Sequence, residues 1–455
     1  MLVTLGVAAL AGCATTIRNA PINLPQATSG GDLVNTSRAF TANGEDSLIA
    51  LAFSGGGMRA AAFSYGVLSE LDRTPVHSKK STETLFDRID FLSGVSGGAV
   101  TAAYFGLKGR AALSDFPERF LLRNAEESLA TGFTPTNVFR AYEGGVNDVQ
   151  QFPRWLDDNL FHGATFHELG RRPRVWINAS DIYNRTPFVF NETTFSAICS
   201  DLASYPIATA VAASAAMPVV FAPVVLQSFP DRCVAKNPDW IERAQNNPSA
   251  HPILTESAAA IVRYRDGSVP YIKLLDGGLV DNYGLSGFTV AVLSAVTPYG
   301  PLAPQQAANI RRVLFLVVDG GRGPSGDWAR TADGPSGPEI VVAAADTAID
   351  SSVRSSFTAF DRTMSDWQGT LIRWRCGLSA ADRTKYRTPV GWDCRDLKFF
   401  VGRLNFDQLG KQRASELGAI PTRFKLAPEE VEALVSAGRD AVRTNPTFQR
   451  FLSNP

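Results

Sequence analysis

The sequence predicts an α/β fold built on a mainly parallel sheet, and three observations point to it. Short apolar runs alternate with helical patterns along the 455-residue chain, as they do in a parallel sheet covered by helices. Two of those runs, 48–53 and 89–92, end in a glycine-rich turn that opens a helix. A third run, VLFLVV at 313–318, is apolar throughout, which suits a strand buried on both faces. The composition is 45% hydrophobic and 19% charged, enough apolar material for a large core. Lys+Arg and Asp+Glu both number 44 and form no strong blocks, so there is no electrostatic footprint for nucleic acid. No internal repeat is present.

Residues 1–12 are apolar and end in Leu10-Ala11-Gly12-Cys13. Small residues after a short apolar run mark a secretory cleavage site, and the run is too short to span a bilayer. The tetrad resembles the bacterial lipobox. That resemblance implies a lipoprotein signal over 1–13, with Cys13 lipidated as the first mature residue and the protein placed in the bacterial cell envelope, on the periplasmic side of the outer membrane. No Lys or Arg precedes the apolar run; the first basic residue is Arg18. A buried N-terminal strand or helix is the competing reading. Residues 14–44 are rich in Thr, Asn, Pro, Ser and Gly, the composition of a polar tether. A diacyl or triacyl anchor would hold stably. The domain proper then runs from 45 to 455.

The run 48–53 leads into Ser54-Gly55-Gly56-Gly57-Met58-Arg59, followed by Ala61, Tyr65, Leu68 and Leu71 at helical spacing. Three glycines at a helix N-terminus expose N–H groups to an anion, either a phosphate or an oxyanion. The phosphate reading fails on detail, since no Gly-Lys-Ser/Thr follows and the block is not G-x-G-x-x-G. The run 89–92 leads into Ser93-Gly94-Val95-Ser96-Gly97-Gly98. Here Ser96 is flanked at ±2 by Gly94 and Gly98 between a strand and a helix, the context of a nucleophile elbow.

Further along, 174–179 reads as a strand and 208–216 as a small-residue helix stopped by Met217-Pro218. The runs 261–265 and 269–275 flank Asp266-Gly267-Ser268, the pattern of a hairpin, and its second arm ends at Asp276-Gly277-Gly278. The run 313–318 ends similarly at Asp319-Gly320-Gly321. Ligands of such sheets sit at the carboxyl ends of strands, where the glycine block, Ser96 and Asp276 all fall. Segments 110–165, 225–258 and 322–400 are less regular and are candidates for lids, with a C-terminal extension beginning near 322. Residues 428–442 read as an amphipathic helix opened by Pro428, with Glu429 and Glu430 complementing its dipole.

An elbow serine needs a base. The histidines are His77, His162, His167 and His251, and none follows Asp276, so a Ser…Asp…His order with Asp276 as the acid is impossible. His251 lies in a polar, loop-like stretch, and His162 and His167 are spaced i,i+5. The base is then a carboxylate or a lysine. Asp276 is the best candidate, yet Asp-Gly also favours a plain turn, and Asp319 has the same surroundings. Arg59 either holds the glycine block or simply begins a helix. Apart from Cys13 the cysteines are Cys199, Cys233, Cys376 and Cys394. Export favours their pairing, and of the three connectivities short loops favour Cys199–Cys233 with Cys376–Cys394. No C-x-x-C pair exists and the histidines lack ligand spacing, which argues against zinc; no metal or cofactor is expected.

Taken in order, GGGMRA at 55–60, GVSGG at 94–98, AASAAMPVVFAP at 212–223 and DGGLVDN at 276–282 resemble the four signature blocks of the patatin-like phospholipases. The resemblance spans 48 to about 285. It implies a three-layer α/β/α sandwich with inserted lid-like segments and a Ser–Asp dyad, with Ser96 matching the nucleophile and Asp276, rather than Asp319, matching the base. Gly55, Gly56, Gly57 and Met58 match the oxyanion block, supported by Arg59, Gly94 and Gly98; Ala60 stands where that block usually has glycine. The implied activity is hydrolysis of lipid acyl esters, of the phospholipase A or lysophospholipase type, with a lipid substrate and a membrane as partners. The alternative is a non-catalytic envelope lipoprotein that binds a lipid or a partner.

Overall fold

The computed structural model describes residues 19–27, 46–76, 83–127, 129–130, 134–142, 144–170, 172–233, 236–321, 323, 327–330 and 332–454. Cys13 and the expected signal lie outside them, as do 28–45 of the expected tether.

Eight strands form one sheet: β1 (Ser47–Phe53), β2 (Ile89–Val95), β3 (Arg174–Asp181), β4 (Thr186–Phe190), β5 (Val224–Gln227), β6 (Tyr271–Asp276), β7 (Arg312–Val318) and β8 (Lys398–Leu404). Their order is β5-β6-β3-β2-β1-β7-β8, with β4 also paired to β3. The run from β3 to β8 is parallel. Antiparallel pairing is confined to β4, β5 and β6 at one side.

Side-chain alternation explains the three layers. In β1, Ile49, Leu51 and Phe53 face a core shared with α1 (Gly57–Arg73), α2 (Gly97–Lys108), and helices Ile207–Ser214 and Pro428–Thr444. Leu48, Ala50 and Ala52 face a second core with helix Ser286–Ser294 and the distal half of the 40-residue helix Gly337–Cys376. Strands with both faces covered by helices are apolar on both, as β1 and β7 are after their first residues, Ser47 and Arg312.

The chain beyond 322 is part of this body. β8 pairs with β7 over seven residues. Helix Pro428–Thr444 lies so close to α1 that a Cβ on Gly438 would run into the Phe63 carbonyl. The segment 322–400 holds the long helix, which is packed in its distal half and largely exposed before that.

Two expectations change. Residues 261–265 are not a strand but the last turn of helix Pro252–Arg265, opened by His251, whose Nδ1 accepts from the Ile253 N–H at 3.3 Å. Hence there is no hairpin, and β6 pairs with β3 and β5 instead. Residues 19–27 of the expected tether are pinned to the body. Asn23 is buried, donates to Ser200 Oγ and the Gln227 carbonyl, and accepts from the Gln227 N–H, each at 2.9 Å. Both expected disulfides, Cys199–Cys233 and Cys376–Cys394, are formed.

Candidate active site

The register of β3 brings two strand ends together. β2 runs parallel to β3 as far as Val95 opposite Asn178, whereas β6 runs antiparallel and ends with Asp276 opposite Ala179. The two strands therefore point at each other along one edge of β3. The residue after β2 is Ser96, and its hydroxyl lies beside the Asp276 carboxylate, close enough to lower its basicity.

Ser96 has φ 50° and ψ −120°, a region that non-glycine residues avoid. The surroundings hold it there. Its N–H donates to Ser214 Oγ at 2.8 Å, and that hydroxyl donates to the Asn178 carbonyl at 2.5 Å. The turn also leaves no room for side chains on either flank. A Cβ on Gly94 would lie 2.6 Å from the Gly98 carbonyl, and one on Gly98 would lie 2.6 Å from the Phe53 carbonyl.

Asp276 is fixed at its backbone and side chain alike. Its N–H donates to the Ala216 carbonyl at 2.8 Å, its carbonyl accepts from Ser180 Oγ at 2.9 Å, and the Gly278 N–H donates to its carboxylate at 2.8 Å. Burial pushes the carboxyl up to about 6, against the pull of the Gly278 N–H and the Ser96 hydroxyl. At neutral pH such a group is ionised roughly ten to one, yet basic enough to take a proton.

Asp319 ends β7 beside the same cavity but is engaged elsewhere. Tyr283 donates to its carboxylate at 2.7 Å and the Gly321 N–H at 2.9 Å. Burial raises its carboxyl above the usual range, with Arg403 opposing. The structure thus brings Asp276, and not Asp319, to Ser96.

The glycine block follows β1, whose Phe53 is the neighbour of Gly94 on one side and Val318 on the other. Of its four expected oxyanion residues, two have their N–H groups occupied. Gly55 donates to the Asn282 carbonyl at 3.1 Å and Met58 to the Arg423 carbonyl at 2.8 Å. Among the described residues, the N–H groups of Gly56 and Gly57 have no such acceptor, so the candidate donors narrow to that pair. Arg59 is buried and reaches away from the serine. Its Nε donates to the Gly320 carbonyl at 2.8 Å, and Nη1 donates to the Ile420 carbonyl at 2.7 Å and Thr422 Oγ1 at 2.9 Å. It ties the start of α1 to the turn after β7 and to the C-terminal strap at 420–424. Glu126 holds that strap from the other side, accepting from the Phe424 N–H at 2.6 Å and pairing with Arg423 at 2.9 Å.

Ser96, Asp276, Gly56 and Gly57 line a cavity of about 800 Å³. Leu129, Met217, Val220, Phe221 and Phe424 line one part of it; the long helix lines another with Asp346, Ile349 and Asp350. None of the described histidines, His162, His167 and His251, lines it, and His77 lies outside the described residues. Among the described residues no group of three His, Cys, Asp or Glu is placed to hold a metal ion. Ser214, Asn178, Ser180 and the Arg423 carbonyl carry no local motif, and sequence reasoning passed over them; only Ser214 falls inside a quoted block.

A family model described as patatin-like phospholipase matches residues 51–289, which contain the glycine block, Ser96 and Asp276. A solved structure, human GIVD cytosolic phospholipase A2, is similar at 13% identity and a TM-score of 0.43, covering 90% of this chain. The match spans 62% of that protein's length. No curated protein matches the chain. With just over half of its length matched by the family model, the chain belongs to the patatin-like phospholipase family.

Proposed function

We propose that this lipid acyl hydrolase cleaves phospholipid or lysophospholipid esters through a Ser96–Asp276 dyad. The observation that carries the reading is the apposition of Ser96 and a buried carboxylate of raised basicity, at the wall of a partly apolar cavity. In this reading Asp276 takes the proton as Ser96 Oγ attacks the ester carbonyl. The N–H groups of Gly56 and Gly57 receive the oxyanion, each contributing about 3 kcal/mol to the transition state. Collapse of the adduct expels the alcohol or lysolipid, which takes the proton back from Asp276. A water molecule then gives a proton to Asp276 and attacks the acyl-Ser96 ester, and collapse of this second adduct releases the fatty acid as Asp276 returns the proton to Ser96 Oγ. Arg59 is a positioning residue: it fixes the backbone that carries the two donors.

The same reading places the enzyme in the cell envelope, acylated at Cys13. The test is fatty-acid release from phosphatidylethanolamine and lysophosphatidylethanolamine vesicles by wild type, Ser96→Ala and Asp276→Asn. Release by wild type with a loss of at least 10³-fold in both variants is expected from a lone-dyad mechanism. Release unchanged in Ser96→Ala overturns it, and no release by wild type favours the non-catalytic binding protein.

A further inference from the structure

The pinned N-terminal segment carries an orientation. Asn19 donates from Nδ2 to the Pro223 carbonyl at 2.6 Å, and Asn23 grips both polar groups of Gln227 at the sheet edge. The chain therefore enters the body at Pro223, four residues after Val219. Asn19 lies only six positions after Cys13. A fully extended chain of that length reaches about 20 Å, so the anchor is tethered within about 20 Å of Asn19, whose acceptor Pro223 lies three residues after the cavity-lining Val220.

Apolar side chains are exposed around this entry, with the Lys273 ammonium over the Tyr271 ring. Ile22 and Leu24 on the pinned segment are 50% and 56% exposed, and Tyr271, opposite Gln227 in the β5–β6 ladder, is 46% exposed. Val219 and Val220 are 41% and 38% exposed. Val219 also has φ 72°, an outlier for a β-branched residue. Its carbonyl and that of Val220 accept from the N–H groups of Val146 and Asn147, each at 2.9 Å, so the backbone holds these valines outward against local strain.

We propose that this face, carrying Ile22, Leu24, Val219, Val220 and Tyr271, docks on the bilayer that holds the acylated N-terminus. The short span from Cys13 then keeps the cavity mouth turned to that leaflet. The inference rests on the lipid-hydrolase and lipid-anchor readings above and adds the surface that meets the lipid. Exposed Ile, Leu and Val side chains gain from leaving water, and tyrosine suits the boundary between headgroups and acyl chains.

The test uses the full chain with phosphatidylethanolamine/phosphatidylglycerol vesicles and two readouts. Flotation of the Cys13→Ser protein reads the face without the anchor and without any need for turnover. It should float measurably, and Ile22→Ser/Leu24→Ser/Tyr271→Ser in that background should cut the floating fraction at least tenfold while soluble short-chain ester turnover stays within twofold. In the acylated protein, a flexible Gly-Ser insertion of about 20 residues after Thr16 frees the orientation and should lower vesicle-lipid turnover at least fivefold, again with soluble ester unchanged. Flotation indifferent to the three substitutions, or absent altogether, overturns the docking face. Vesicle turnover indifferent to the insertion, or a Cys13 without acyl mass, overturns the tethered orientation. Soluble ester turnover unchanged by Ser96→Ala would instead sink the dyad and leave flotation to decide the face.

Discussion

Replacing Asp276 with Asn removes the charge that burial penalises while keeping the side chain's shape. In the wild type the carboxyl is raised from 3.8 to about 6. Two pH units at about 1.36 kcal/mol each come to about 3 kcal/mol. The sign follows from linkage. The folded state holds the proton more tightly than the unfolded state. The stabilisation from that proton is complete below 3.8 and is lost as pH rises through about 6. Asn does not titrate, so Asp276→Asn should match wild type in stability at about pH 4 and exceed it by about 3 kcal/mol at about pH 8. The assay is urea unfolding of both proteins across that range, alongside kcat/KM. Wild-type kcat/KM should rise with pH through about 6 and then level off, because the base acts ionised. A wild type more stable than the variant at about pH 8 would refute the reasoning, for it would mean that hydrogen bonds to the carboxylate outweigh its desolvation.

Other positions make separate demands. Gly57→Ala puts a Cβ 2.7 Å from the Arg423 carbonyl at a residue with φ 59°. It should cost about 2 kcal/mol or more in stability and lower kcat by more than tenfold, read by thermal unfolding and ester turnover. Arg59→Lys keeps the charge but not the fork that serves Gly320, Ile420 and Thr422. It should lower kcat by more than tenfold, with KM for a soluble ester within threefold. Cys376→Ser/Cys394→Ser opens a loop of 18 residues and should lower stability by about 3 kcal/mol with kcat unchanged, since the bridge joins the far end of the long helix to the turn before β8.

The elements legible in the sequence were those whose physics is local. The glycine block and the glycine-flanked Ser96 follow from backbone that must turn sharply out of a buried strand, and each leaves a short motif. Choosing Asp276 over Asp319 was not local: both end a strand before two glycines. What separates them is the antiparallel entry of β6 beside β3, and the Tyr283 hydroxyl that engages Asp319. The stretch IVRYR at 261–265 reads as a strand because Ile and Val favour one. It is helical because the chain has already been wound from Pro252, and Ala258 and Tyr264 bury one face while the Tyr264 hydroxyl reaches Asp181 at 2.6 Å. Residues 19–27 read as part of a tether because composition cannot show that Asn23 finds an unpaired edge at Gln227. The chain beyond 322 carries no block of the family, yet it supplies β8, the Arg423 carbonyl and the long helix over the site.

The central claim is that Ser96 is a nucleophile activated by Asp276. Labelling with a fluorophosphonate probe, followed by peptide mapping of the adduct, tests it most directly. The account predicts a stoichiometric adduct on Ser96 in the wild type, none in Ser96→Ala, and a rate at least 10²-fold slower in Asp276→Asn. An adduct on another residue, or equal rates in wild type and Asp276→Asn, would contradict it.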